Sequence, residues 1–80
     1  MFDINIGLNF FDTYHNGNRY IAMVDHRDDL SYYPYSISIY FVDGVGRKHL
    51  EFERTYESIQ SVINKLEHYW KYENIEWKRF

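Results

Sequence analysis

The apolar residues of this chain change their period once, and that change limits what the chain can fold into. From Thr55 to Tyr72, Ile59, Val62, Ile63, Leu66, Tyr69 and Trp70 recur at spacings of three and four, which places them on one face of a 3.6-residue period. Gln60, Ser61, Asn64, Lys65, Glu67, His68 and Lys71 fall between them and can face water. This stretch predicts one amphipathic helix. Thr55 is the expected N-cap, since its hydroxyl can accept a backbone N–H of the first turn. Glu57 then lies near the positive end of the helix dipole and Lys71 near the negative end. Glu67 and Lys71 form an i,i+4 pair in the favourable order, contributing about 0.3 kcal/mol. Asn74 is the expected breaker.

Everything before the helix alternates. Phe2, Ile4, Ile6, Leu8 and Phe10 alternate with Asp3, Asn5, Gly7 and Asn9, the period of a half-buried strand that continues to Tyr14. Asn16-Gly17 predicts a two-residue type I′ turn. A second strand from Arg19 to about Asp25 then pairs Phe10 with Met23 and Asp12 with Ile21. Ile21 and Met23 share a face with Leu8 and Phe10, and this face is expected to lie under the helix. Tyr20, Ala22 and Val24 are expected on the other face with Phe11, which is more apolar than a solvent face needs.

A third strand alternates Ile37, Ile39 and Phe41 with Ser36, Ser38, Tyr40 and Val42. After a four-residue turn, Asp43-Gly44-Val45-Gly46, a fourth carries Leu50 and Phe52 against His49, Glu51 and Glu53. The expected register pairs Ile39 with Leu50 and Ile37 with Phe52. It leaves Ser36, Ser38, Tyr40, His49, Glu51 and Glu53 on the opposite face. Residues 73–80 place Ile75 and Trp77 at alternate positions, either as a fifth short strand or as a docked tail. The pieces sum to one domain over residues 1–80. It is an α+β fold in which an antiparallel sheet of two β-hairpins (ββββ) packs on one C-terminal helix, with a possible short fifth strand. The helix is expected to cover Ile4, Ile6, Leu8, Phe10, Ile21, Met23, Ile37, Ile39, Leu50 and Phe52.

Composition bounds the function. A chain of 80 residues buries only roughly 60% of the surface its unfolded form exposes. There is no cysteine, so no disulfide or thiolate chemistry is on offer. The segment MFDINIGLNFF lacks the basic start of a signal peptide, and no apolar run is long enough to span a bilayer. A soluble cytoplasmic protein without a membrane partner is expected. The net charge of −3 does not favour broad phosphate binding. The aromatic content is the outlier: Phe, Trp and Tyr make 21% of the chain, more than so small a core can bury, so an aromatic surface patch is expected.

Chemical motifs are weak. His15, His26, His49 and His68 show no metal-ligand spacing and are expected as solvated surface residues. Asp25-His26-Arg27-Asp28-Asp29 brings acid and imidazole together, but with no apolar wall to perturb them. Glu51 and Glu53 sit two apart on one strand, whereas a glycosidase pair faces across a cleft at about 5–10 Å. Gly44-Val45-Gly46-Arg47-Lys48 has glycines and cations, but a strand follows where a phosphate loop needs a helix. No catalytic residue, metal ligand or cofactor is expected.

The longest aperiodic stretch runs from Asp25 to Tyr35, a charged turn followed by tyrosines around Pro34. Connections in compact domains are usually shorter, and long ones often carry function. The chain therefore reads as a small non-enzymatic protein-binding module. Tyr32, Tyr33 and Tyr35 are the expected contacts, with Asp28 and Asp29 as a charged rim. The exposed sheet face with Tyr40 and His49 is the second contact surface. A stoichiometric inhibitor of a host protein, such as a phage or mobile-element anti-defence factor, fits by analogy at the level of fold. Two other readings stand beside it. One is a single-stranded nucleic-acid-binding or regulatory protein using the sheet face, where Tyr40, His49 and Arg47 could stack and pair. The other is a homodimeric structural protein that buries the same aromatics.

Overall fold

The computed structural model describes residues 3–29 and 32–80. The expected strand start at Phe2, and Leu30 and Ser31 of the long loop, lie outside the described residues. An antiparallel sheet of four long strands and a short fifth packs against one helix. The strands are β1 (Gly7–His15), β2 (Asn18–His26), β3 (Tyr35–Val42), β4 (Lys48–Tyr56) and β5 (Lys78–Arg79), and the helix is α1 (Ile59–Glu67). Their order across the sheet is β4-β3-β2-β1-β5.

The first hairpin has the predicted register, with Phe10 opposite Met23 and Asp12 opposite Ile21. Asn16 (φ 52°) and Gly17 (φ 80°) both take the left-handed backbone that a type I′ turn needs. Its orientation is the reverse of the expected one. Phe11, Tyr20, Ala22 and Val24 form the core with Ile37, Ile39, Val62, Leu66 and Trp77. Leu8, Phe10, Ile21 and Met23 lie on the far side of the sheet. The deciding contact is between hairpins: β2 pairs β3 with Ala22 opposite Ile39 and Val24 opposite Ile37, so these residues share the helix side. Gly7, at φ 98°, interrupts the N-terminal alternation. Ile4 thus still packs on the core while Ile6 and Leu8 are exposed.

Two polar residues occupy the inner face of β1 and hide this orientation from the sequence. Asn9 is 1% exposed. Its amide nitrogen reaches the carbonyls of Asn5 (2.8 Å), Gly7 (3.1 Å) and Val24 (3.1 Å), and its amide oxygen accepts from the Asn5 N–H at 2.8 Å. The Thr13 hydroxyl donates to the Glu76 carbonyl at 3.0 Å. Buried polar groups persist where such partners exist.

The second hairpin departs from the expected register by two single-residue steps. The turn holds five residues, because Asp43 Oδ1 accepts from the Val45 and Arg47 N–H groups at 3.0 and 2.9 Å and draws Arg47 into the loop. Val42 therefore faces Lys48. A bulge between Ile39 and Tyr40 then passes over Glu51, so that Ile39 faces Phe52 and Ile37 faces Arg54. Between the two steps, residues 48–50 change sides. Leu50 turns outward opposite Tyr40, and His49 comes to the helix side opposite Phe41. Beyond the bulge Phe52 packs against the core and Glu53 faces out, where Ser38 Oγ donates to it at 3.4 Å.

The helix is shorter than the periodic stretch. Because β4 runs through Tyr56, Thr55 is a strand residue, and Ser58 is the N-cap, accepting from the Ser61 N–H at 3.2 Å. Ile59 is 37% exposed and not part of the core, whereas Val62, Ile63 and Leu66 are buried. Lys71 lies beyond the helix end, so the expected pair with Glu67 does not form on a helix face. Tyr69 and Trp70 follow the helix and close the side of the core edge-on, at 4.9 Å. The tail is a strand: Arg79 pairs with Phe11 and Lys78 with Asp12, while the buried Trp77 indole donates to the Leu66 carbonyl at 2.7 Å.

Candidate functional site

Turning the first hairpin over gives the sheet two apolar faces and only one helix. The outer face carries Leu8, Phe10, Ile21 and Met23 from the first hairpin, Tyr40, Val42 and Leu50 from the second, and Phe80 beyond β5. Leu8 is 58%, Leu50 54% and Phe80 61% exposed. The Phe80 ring lies 6.2 Å from Phe10, with the Arg19 guanidinium 5.5 Å above it. Phe10, Arg19, Ile21, Met23, Tyr40, Val42, Gly46, Lys48 and Phe80 enclose a shallow concavity of about 620 Å³. Large single apolar patches rimmed by polar groups mark interaction surfaces.

Charge on this face differs between its two ends, with Asp12 and Lys78 facing each other at the β1–β5 edge. Arg19 and Lys48 lie at the end nearest the two tight turns, with Arg19 held by Asp12 at 3.0 Å. Asp25 and Glu53 lie toward the other end, aligned with Ser36 and Ser38 of β3.

The structure separates the residues singled out in the sequence. Tyr40 is half-buried and lines the outer concavity. His49 does not accompany it: it is on the helix side, 2.8 Å from Asp43 and 6.1 Å from the Phe41 ring. The expected Tyr40–His49 surface therefore does not exist. The His49 hydrogen bond, with the Arg47 and Val45 amides, holds the Asp43 carboxyl below its ordinary range. Tyr32 and Tyr33 are exposed, with rings 5.0 Å apart at 72°, and lie beside β4 and the start of α1, not on the outer face. Asp28 and Asp29 are exposed, and Arg27 bonds Asp29 at 3.2 Å. Tyr35 is half-buried at the start of β3, its ring stacked 4.3 Å from His26.

Glu51 and Glu53 are not a pair on one face. Glu51, in the bulge, turns to the helix side, where it joins burial in raising the pKa of Tyr69 and Tyr20, with burial the larger cause. His15 is not a solvated residue: its side chain is 16% exposed, stacks on Trp70 at 3.9 Å and 6°, and contacts Glu73 at 2.8 Å. Among the described residues no group of three or more His, Asp or Glu side chains is placed to hold a metal ion. No helix among them is long and apolar enough to cross a membrane.

No protein-family model, curated protein or solved structure matches this chain. The residues that sequence reasoning missed are Leu8, Phe10, Ile21, Met23 and Leu50, all assigned to the core. The available signal was the apolar character of both faces of the first hairpin, which one helix cannot cover.

Proposed function

We propose that the protein is a non-enzymatic binding module that docks another protein on the outer face of its sheet. The observation that carries this reading is the exposed Leu8–Phe10–Leu50–Phe80 surface around the Tyr40 concavity. Leaving such a surface in water forgoes roughly 25 cal/mol for each Å² of apolar area, and a partner recovers that energy. Tyr40 and Arg19 are residue types that dominate binding energy at protein interfaces. A broad contact face on a small domain suits a stoichiometric blocker, and a host protein inhibited by a phage or mobile-element anti-defence factor is one such target. Single-stranded nucleic acid is the weaker reading, because Asp25 and Glu53 share the face and repel phosphate.

The division of charge favours a particular partner, a second copy of the chain. A twofold axis running across the strands would stack the two sheets with their directions reversed. Arg19 would then meet Asp25 of the other copy, and Ile21 would meet Met23. Five strands at about 4.8 Å and eight residues at about 3.3 Å give a face on the order of 600 Å², against about 800 Å² per partner in a standard interface. Sheets packed face to face in this way lie about 30° from alignment.

Sedimentation of the wild type and of Leu50→Lys tests both forms. A dimer that Leu50→Lys converts to monomer supports the second copy. A wild-type monomer whose Leu50-positioned photocrosslinker joins one other protein at 1:1 supports a different partner. A monomer that crosslinks to nothing through this face overturns the reading.

A further inference from the structure

On the opposite side of the molecule, the last residues of β4 and one stripe of α1 and its C-cap border an open, shallow groove of about 600 Å³ lined by Arg54, Tyr56, Ser61, Asn64, Lys65 and His68. The helical residues recur at spacings of three and four, so the stripe follows from the period of α1. Every lining side chain can donate a hydrogen bond and none is a carboxylate, although the chain carries a net charge of −3. The ion pairs among the described residues engage Arg19, Arg27, His15 and His49, and none involves Arg54, Lys65 or His68. Arg54 lies 5.5 Å over the Tyr56 ring, and Lys65 lies 4.6 Å over Phe52. Both cations thus rest on aromatic faces and outside the ion pairs of the described residues.

Two further observations point to an acceptor that the protein does not supply. The Tyr56 hydroxyl is buried without a hydrogen-bond partner, and an orphaned buried donor is costly. Asn64 Oδ1 is occupied by the Gln60 amide at 3.0 Å, which leaves the Asn64 amide hydrogens to point elsewhere. The ligand that answers unpaired cations and unmatched donors is an oxyanion, and the phosphate class best fits guanidinium and ammonium together. The groove does not end there. Arg54, Tyr56 and Ser61 also line an adjoining hollow of about 310 Å³, walled by the exposed pair Tyr32 and Tyr33. Aromatic side chains of this kind stack planar bases. Glu57 also lines that hollow and can accept from an exocyclic amine.

We infer that this groove is a nucleotide site, with the phosphate held by Arg54, Lys65 and the Tyr56 hydroxyl and the base against Tyr32 or Tyr33. It is independent of the outer sheet face, and a failure of either leaves the other standing. The test is titration of the ¹⁵N-labelled protein with AMP, adenosine and inorganic phosphate. AMP should shift resonances of residues 54–68 and of Tyr32 and Tyr33 together. Phosphate alone should shift only the residue 54–68 set, and adenosine should bind at least tenfold more weakly than AMP. Arg54→Ala with Lys65→Ala should weaken AMP binding at least tenfold, and Tyr56→Phe several-fold, with circular dichroism unchanged. Absence of shifts at millimolar AMP would overturn the assignment. So would shifts that survive the double substitution, or binding of a phosphotyrosine peptide where AMP does not bind.

Discussion

The two faces of the sheet are built from the same residue types and have opposite fates. On the inner face Phe11, Ala22, Val24, Ile37 and Ile39 are fully buried, and even Asn9 and Thr13 find backbone partners. On the outer face Ile21 is covered by its neighbours, while Leu8, Leu50 and Phe80 are more than half exposed. Hydrophobicity does not distinguish the faces; coverage does. The helix and the Trp77 tail cover one side, and nothing in the fold covers Leu8, Leu50 and Phe80 on the other. The inner face should therefore answer to stability measurements and the outer face to binding.

The largest expected effect is at the tail. Trp77→Ala removes a buried indole and its bond to the Leu66 carbonyl, and should cost about 3–5 kcal/mol in urea denaturation. A loss below about 1 kcal/mol would show that the tail does not complete the inner layer. Ile39→Ala, at a fully buried position, should cost about 2–5 kcal/mol by the same measurement. Asn9→Ala leaves the Val24 carbonyl without its side-chain donor and should cost about 1–3 kcal/mol; a neutral result would mean that its hydrogen bonds do not anchor β1.

A smaller effect is set by pH. Burial raises the pKa of Tyr20, Tyr56 and Tyr69, all on the helix side. Their folded forms favour the neutral phenol, whereas the unfolded chain ionises near pH 10. This contribution is complete below about pH 10 and is lost as pH rises through the folded values. Denaturation midpoints should fall from pH 9.5 to 11, and less steeply in Tyr20→Phe. The smallest stability effect belongs to the outer face: Leu50→Lys, compared at a concentration where both proteins are monomeric, should stay within about 0.5 kcal/mol of wild type while removing docking. A large loss of stability there would make Leu50 a structural residue and erase the contrast between the faces.

Much of this was legible in the residues. Asn16-Gly17 fixed the first hairpin and its register, the alternation gave the strands, and the period of three and four placed Val62, Ile63 and Leu66 under cover. What could not be read was the relation between the hairpins. Pairing within a hairpin is a local matter of turn length, but the pairing of Ala22 with Ile39 spans the long loop and has no local signature. With both faces of β1 and β2 apolar, Asn9 and Thr13 pointed the wrong way, since the backbone groups that satisfy them, from Asn5 and Gly7 to Val24 and Glu76, are set by the fold. In the second hairpin, one carboxylate drawing Arg47 into the turn and one bulge at Glu51 were enough to send Leu50 outward and His49 inward. The tyrosine loop was rightly read as exposed at Tyr32 and Tyr33, but its neighbours are Arg54 and Tyr56, which lie far along the chain.

The central claim is that the outer face of the sheet is a docking surface. A photoreactive phenylalanine analogue at position 50, compared with one at the exposed helix-side position 72, tests it most directly in cells of the natural source. The account requires a discrete crosslinked species of defined mass from position 50, at twice the chain mass or with one other protein, and none from position 72. Crosslinks from position 72 alone, or none from position 50 in a folded protein, would contradict it.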